Sequence, residues 1–386
     1  MRNFVADTIR DLPPSGIRRF FDVAAEMDDV ISLGVGEPDF VTPKPITNAA
    51  IDSLEQGKTM YTANAGMMEL RQEISNYMKK FGLSYDPAKQ VLVTVGASED
   101  IDISMRAILN PGDEVLLIEP CFVAYKPCVI MAGGVPVTIK TSAENDFKVT
   151  AADIEAKLTS KTKAILIGYP SNPTGAILPQ EELEKIADVL RDKDLIVISD
   201  EIYSELTYGD KPHVSIASLP GMAEKTVVIN GFSKSFAMTG WRLGFACGPV
   251  EIIAAMTKIH QYVLMCAPTM SQYAGLEALK SGAPSVATMK AQYDERRTFL
   301  LGELRALGMD CFEAKGAFYL FPSIKAFGLT SEEFCNRLLQ EQRLAVVPGT
   351  AFGECGEGHV RISYAYSVEN LKEALVRLKR FLDSLK

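Results

Sequence analysis

Lys234 follows a short apolar run, Thr226-Val-Val-Ile-Asn, and opens the stretch Lys-Ser-Phe-Ala-Met-Thr-Gly-Trp-Arg-Leu-Gly244. Arg242 comes eight residues later, among small residues. A lysine that links to an aldehyde cofactor needs this setting: a rigid strand end to hold it, small neighbours to admit the cofactor, and a fixed cation for a phosphate. Asp200 closes a second apolar run, Leu195-Ile-Val-Ile-Ser. A carboxylate in that position is costly to bury unless it meets a cation or several hydrogen-bond donors. Val93-Thr-Val-Gly-Ala-Ser98 reads as a strand entering a helix, where Gly96 and Ala97 let backbone amides approach a phosphate closely. Ser98 suits both the helix cap and a phosphate ligand, two roles that compete. Glu99 and Asp100 follow at once and must point away from any bound dianion. Each of these residues alone is ordinary: a solvated loop lysine, a capping aspartate, a polar turn. Together they describe a site.

The elements that position them are legible as pattern. Gln90–Gly96, Glu114–Glu119, Ala164–Tyr169, Leu195–Asp200, Thr226–Gly231 and Leu243–Gly248 are short, Val- and Ile-rich, and predicted as buried strands. Helical patterns such as Ser98–Leu109 and Pro179–Arg191 lie between them. That alternation predicts an α/β domain with a mostly parallel sheet. Such sheets collect ligands at the carboxyl ends of their strands, and the residues above fall just past those ends. Residues 1–15, with Pro13 and Pro14, read as an extended arm. From about Ser285 a long helix is expected, then strands at 316–321 and 360–364. A last helix follows, capped by Ser367 with Glu369 in its first turn. The expected division is an arm (1–15), a large domain (46–285) and a smaller domain from both chain ends (16–45 and 286–386).

The Lys234 segment resembles the cofactor-lysine signature of class I pyridoxal-phosphate aminotransferases. Further motifs occur in that family's order: Gly36-Glu-Pro-Asp-Phe, Tyr61-Thr-Ala-Asn-Ala-Gly, Asn172-Pro-Thr-Gly, Asp200-Glu-Ile-Tyr203 and Val360-Arg-Ile-Ser. The resemblance runs from about Ser15 to the C-terminus and is greatest to the bacterial branch with aspartate and aromatic aminotransferases. It implies fold type I: a mostly parallel seven-stranded sheet flanked by helices, plus a smaller α+β domain. It implies pyridoxal 5'-phosphate held as a Schiff base on Lys234, with Asp200 on the ring nitrogen and Asn172 and Tyr203 on the phenolic oxygen. Phe122 would stack on the ring. Gly96, Ala97, Ser98, Ser233 and Arg242 would hold the phosphate, joined by Tyr61 of a neighbouring subunit, so a homodimer is expected. Gly36, Asn172 and Ile17 would face the substrate, and Arg361 would grip its α-carboxylate. Cis peptide bonds are expected before Pro173 and Pro120. The implied reaction moves an amino group from an L-amino acid (aromatic, aliphatic or acidic) to a 2-oxo acid such as 2-oxoglutarate.

Bacterial aspartate enzymes of this branch carry a lysine for the distal carboxylate at the position of Ser98 here. Arg18 and Arg19 are the substitutes if the N-terminal arm folds over the site, whereas Ile17 favours an apolar or aromatic side chain. The formal charge of −9, from 40 basic and 49 acidic residues with no basic run, argues against nucleic-acid or anionic-membrane partners. Seven scattered cysteines with no Cys-x-x-Cys pair, and three histidines far apart, point to neither disulfides nor a metal site. With no apolar stretch of membrane-spanning length, a cytoplasmic location is expected. Two other readings stay open: a carbon–sulfur β-lyase on the same fold, and a regulatory relative that only senses the cofactor.

Overall fold

The computed structural model describes residues 3–13 and 27–385. Twelve strands occur among them. In chain order they are β1 (Ile31–Ser32), β2 (Val91–Thr94), β3 (Glu114–Glu119), β4 (Val135–Lys140), β5 (Thr162–Gly168), β6 (Ile196–Asp200), β7 (Thr226–Gly231), β8 (Gly244–Cys247), β9 (Tyr319–Leu320), β10 (Leu344–Ala345), β11 (Val347–Pro348) and β12 (Val360–Ser363). Seven of these form one sheet in the order β2-β8-β7-β6-β5-β3-β4. From β7 through β6, β5 and β3 to β4 all neighbours are parallel. β8 runs antiparallel to both of its neighbours, β7 and β2. The inner strands are buried on both faces, which is why they read as continuous apolar runs rather than alternating ones.

The direction of β8 matters for the site. Its amino end lies at the edge of the sheet where the parallel strands have their carboxyl ends. Arg242, two residues before β8, is thereby delivered to the same edge as Asp200 and Lys234.

Three expectations are corrected. β4 was not anticipated, because it is an edge strand: Val135 is 45% exposed, the run is only half buried, and Pro136 is tolerated where no inner neighbour needs its amide. The arm is not wholly extended, since Asp7–Arg10 forms one helical turn closed by an Arg10–Asp7 ion pair of 2.7 Å, with no residue buried. Ser98 does not cap its helix: Ala97–Ile108 is preceded by Gly96 as the capping residue, at φ +118°, and Ser98 sits inside the first turn.

The two ends of the chain meet. β1 pairs in parallel with β10, and β12 lies between β11 and β9 in a small antiparallel sheet. The Leu33 amide donates to the Ala345 carbonyl at 2.8 Å, and the Ser363 amide donates to the Leu33 carbonyl at 2.8 Å. Leu33 belongs to one apolar cluster with Leu320, Leu344, Phe334 and Phe381. The long helix spans Ala283–Ala306, and the last helix, Val368–Ser384, starts where the Ser367 hydroxyl accepts from the Asn370 amide at 3.2 Å.

Candidate active site

The loops after β2, β3, β5, β6 and β7 and the loop before β8 open onto one cavity of about 730 Å³. Lys234 lies three residues past β7, and its Nζ donates to the Gly36 carbonyl at 2.6 Å. Burial depresses this amine from its usual range to about 8, with Glu37 opposing the shift and the Arg361 and Arg242 charges reinforcing it. The effect is a lysine whose neutral, nucleophilic form is available close to neutral pH.

Asp200, the last residue of β6, is buried beneath the same cavity. Its Oδ2 accepts from the Tyr125 hydroxyl at 2.6 Å and its Oδ1 from the Ile202 amide at 3.1 Å. Burial raises the carboxyl above its usual range, and the Tyr125 and Ile202 donors oppose that rise. Tyr203, one turn on, is buried with its hydroxyl 2.9 Å from that of Tyr319. Phe122 lines the cavity and meets Tyr125 edge to face, with ring centroids 5.7 Å apart.

The helix N-terminus at Ala97 and Ser98 lines the cavity together with Ser233 and Arg242, and the Arg242 guanidinium lies against Gly96 at the helix start. Glycine is required here at two positions. A Cβ on Gly96 would lie 3.0 Å from Arg242 Nη2, at a φ that L side chains avoid, and a Cβ on Gly244 would lie 2.7 Å from the Ala97 amide nitrogen. The bare backbones let the helix start seat directly on the end of β8. Arg242 is itself fixed by donating from Nη1 to the Thr239 carbonyl at 2.8 Å. Glu99 and Asp100 turn away. Glu99 accepts from the Val95 amide at 2.7 Å and pairs with His260, while Asp100 accepts from the Thr94 hydroxyl at 2.8 Å.

Arg361, on β12, closes the cavity from the other part of the chain. Its Nη1 donates to Asn172 Oδ1 at 2.8 Å and its Nη2 to the Gly34 carbonyl, while its buried Nε has no partner among the described residues. The guanidinium lies 4.5 Å from the Tyr319 ring centroid and 4.7 Å from that of Phe352. Gly36 is forced by the same tyrosine, since a Cβ there would sit 2.5 Å from the Tyr319 hydroxyl oxygen. The peptide bonds before Pro120 and Pro173 are cis, and so is the unanticipated Tyr169–Pro170 bond.

Gly36, Ala97, Ser98, Phe122, Asn172, Asp200, Tyr203, Ser233, Lys234, Arg242 and Arg361 are therefore brought to one cavity, with Gly96 directly behind its wall. Tyr61 is not among its lining residues and is 79% exposed. Ile17, Arg18 and Arg19 lie outside the described residues. Sequence reasoning gave no role to Tyr125, Tyr319 or Glu37, all of which line the cavity. Tyr125 had a signal, one helical turn beyond Phe122. Tyr319 had none, because β9 reaches the site only through the packing of the small sheet. Among the described residues, no group of His, Cys, Asp or Glu is arranged to hold a metal ion, and no helix is long and apolar enough to cross a membrane.

The comparisons with known proteins agree with this geometry. Residues 28–378 match the family described as aminotransferase class I and II. The Bacillus subtilis protein YugH is 57% identical over 99% of both chains. The aspartate aminotransferase of Pyrococcus abyssi is 47% identical over 98% of both. The crystal structure of an aromatic aminotransferase from Pyrococcus horikoshii superposes with a TM-score of 0.91 at 46% identity, covering 95% of this chain and 99% of that one. A buried lysine amine, a buried carboxylate, a glycine-backed helix N-terminus with an arginine, and an arginine with an unpartnered buried nitrogen together fit pyridoxal phosphate and an α-carboxylate. The chain belongs to the class I and II aminotransferases, as a fold type I, pyridoxal-phosphate-dependent transaminase.

Proposed function

We propose that this transaminase takes L-amino acids with aromatic or aliphatic side chains as donors and a 2-oxo acid, 2-oxoglutarate first among them, as acceptor. One observation carries the reading. Among the described residues the cations lining the cavity are Lys234, Arg242 and Arg361, and each has a task that leaves no cation for a second, distal carboxylate. Ser98 stands where the aspartate enzymes of this branch place theirs. The relatives named for aspartate and for aromatic substrates bracket the choice without making it.

The site roles follow from the geometry. Pyridoxal phosphate, when bound, supplies an aldehyde that links to amines and a ring that withdraws electrons from the bonds at the substrate's Cα. Ser98, Ser233, Arg242 and the amides behind Gly96 would hold its phosphate, with Arg242 fixed as a planar donor. Phe122 would pack on the ring, Asp200 would face the ring nitrogen, and Asn172 and Tyr203 the phenolic oxygen. Arg361 has its Nη1 and Nη2 anchored by Asn172 and Gly34, which orients the guanidinium, and its buried Nε, unpartnered among the described residues, would help meet a carboxylate. Gripping that carboxylate fixes the Cα–H bond relative to Lys234. The Lys234 amine, small and mobile on its stem, would take the proton from that carbon and return it elsewhere on the substrate.

Residues 46–285 would form the cofactor-binding domain and 16–45 with 286–386 the smaller one, supported by the bonds of Leu33 to Ala345 and Ser363. Tyr61, exposed and not among the residues lining its own cavity, would reach the phosphate in a second copy, making the functional unit a homodimer. A cytoplasmic location fits seven free thiols. All three named relatives carry aminotransferase names, and amino-group transfer stands without the lyase alternative.

The test is the absorbance of the purified holoenzyme as single L-amino acids are added without an oxo acid. Phenylalanine, tyrosine or leucine is expected to convert the bound cofactor fastest. Faster conversion by aspartate or glutamate would overturn the substrate class and make Arg18 and Arg19 the acid readers; Arg18→Ala and Arg19→Ala would then cut glutamate turnover.

The depressed Lys234 amine gives a second prediction. Only the neutral amine attacks an aldehyde, and with a pKa of about 8 its neutral fraction rises as pH rises through that value. Uptake of pyridoxal phosphate by the apo protein should therefore accelerate with pH, with a midpoint near 8, and level off above it. Stopped-flow absorbance measures this directly; a rate still rising about tenfold per pH unit between pH 8.5 and 9.5 would mean an unperturbed lysine.

A further inference from the structure

Tyr125 has no part in the roles above, yet its hydroxyl is the shortest contact of the buried carboxylate at the base of the cavity. It opens the short helix Tyr125–Met131 after β3 and is buried. To reach Asp200 the phenol must cross the end of β5, and there it meets Gly168, the register partner of Asp200 on the neighbouring strand. A Cβ on Gly168 would stand 2.5 Å from the Tyr125 hydroxyl oxygen and 3.2 Å from its Cε2. Any other residue at 168 would block the approach. The bare Cα thus provides a passage, and the hydroxyl that uses it ends 2.6 Å from Asp200 Oδ2.

We propose that Tyr125 is a positioning residue, which, admitted by Gly168, holds Asp200 ionised and fixes the plane of its carboxylate for the cofactor. The inference rests on the reading that Asp200 meets the cofactor ring. Two donors from two elements hold the two oxygens, Tyr125 on Oδ2 and the Ile202 amide on Oδ1. A carboxylate so held cannot rotate without breaking a buried bond. The phenol is the donor, because burial and the adjacent Asp200 charge push its own ionisation well above the usual range. A hydrogen bond to the charged form of a carboxylate favours that form, opposing the burial that disfavours it. The other titratable groups around Asp200 are Glu201 and Tyr203 from its own turn, Lys234 from the loop after β7, and Asp100 from helix Ala97–Ile108. The hydrogen bonds that Asp200 accepts come instead from Tyr125 and the Ile202 amide.

The experiment measures the dissociation constant of pyridoxal phosphate from the apo protein across pH, by cofactor absorbance, for four proteins. In the native protein, affinity is expected to fall at acid pH as Asp200 takes a proton. Tyr125→Phe keeps the ring against Phe122 and removes only the donor; its acid limb should move to higher pH by about one unit, the size of one lost charge-assisted bond. Gly168→Ala should move the limb in the same direction with the phenol still present. Asp200→Asn should abolish the limb and bind weakly at every pH. A Tyr125→Phe protein with the native pH dependence overturns the proposal. So does one that loses affinity by the same factor at every pH, which would mean packing alone. If instead Asp200→Asn binds like the native protein, limb included, the underlying reading of Asp200 fails, and the role of Tyr125 with it.

Discussion

Lys234→Ala is expected to lower kcat for amino-group transfer by about 10⁴-fold or more, the loss of both the covalent anchor and the proton carrier. The protein should still fold. The substitution removes one hydrogen bond to the Gly36 carbonyl, worth about 1 kcal/mol, and also removes an amine that is costly to bury. Melting temperature of the apo protein should therefore change little, while the phosphate cup still takes up cofactor without a covalent link. Turnover measured with protein prepared free of host aminotransferases decides the matter. Residual transamination within tenfold of the native rate would remove Lys234 from the reaction.

Arg361→Ala should have the next largest effect, a fall in kcat/KM of about 10²- to 10⁴-fold, as expected for losing two charge-assisted bonds to a carboxylate. The loss should fall on every donor and on the 2-oxo acid acceptor alike, because all carry the same carboxylate. The protein should still take up cofactor, since the guanidinium is anchored to Asn172 and Gly34 rather than to the phosphate cup. Arg361→Lys should recover little, because a point charge replaces a planar fork stacked on Tyr319. A defect confined to one donor would assign Arg361 to side-chain reading instead.

Much of the fold was legible because its inner strands are buried on both faces. A strand such as Thr226–Gly231 is buried along its whole length around an apolar Val-Val-Ile centre, so its limits agree with the run read from the chain. β4 escaped for the opposite reason: an edge strand with a half-solvated face and a proline carries little hydrophobic signal. Serine's local preference favours Ser98 as the cap, but Gly96 takes that place to bring the helix start onto Gly244, a demand of packing rather than of local preference.

The sequence by itself determined the reaction class. Lys234, Asp200 and Asn172 are recognisable because each lies in a short local pattern set by a strand end and the turn after it, while Arg242 and Arg361 stand out through the family motifs they resemble. Tertiary structure alone decided how those patterns converge. Only the reversed direction of β8 puts Arg242 at the same sheet edge as Lys234. Only the small sheet carries Arg361 and Tyr319 over that edge, through pairings of β12 with β11 and β9. The contact between Tyr125 and Asp200, 75 residues apart, exists because Gly168 on a third segment leaves room for it. Local pattern reports what a residue's neighbours in the chain require. A contact across three strands is fixed by the sum of many packing choices, and no short window of sequence contains it.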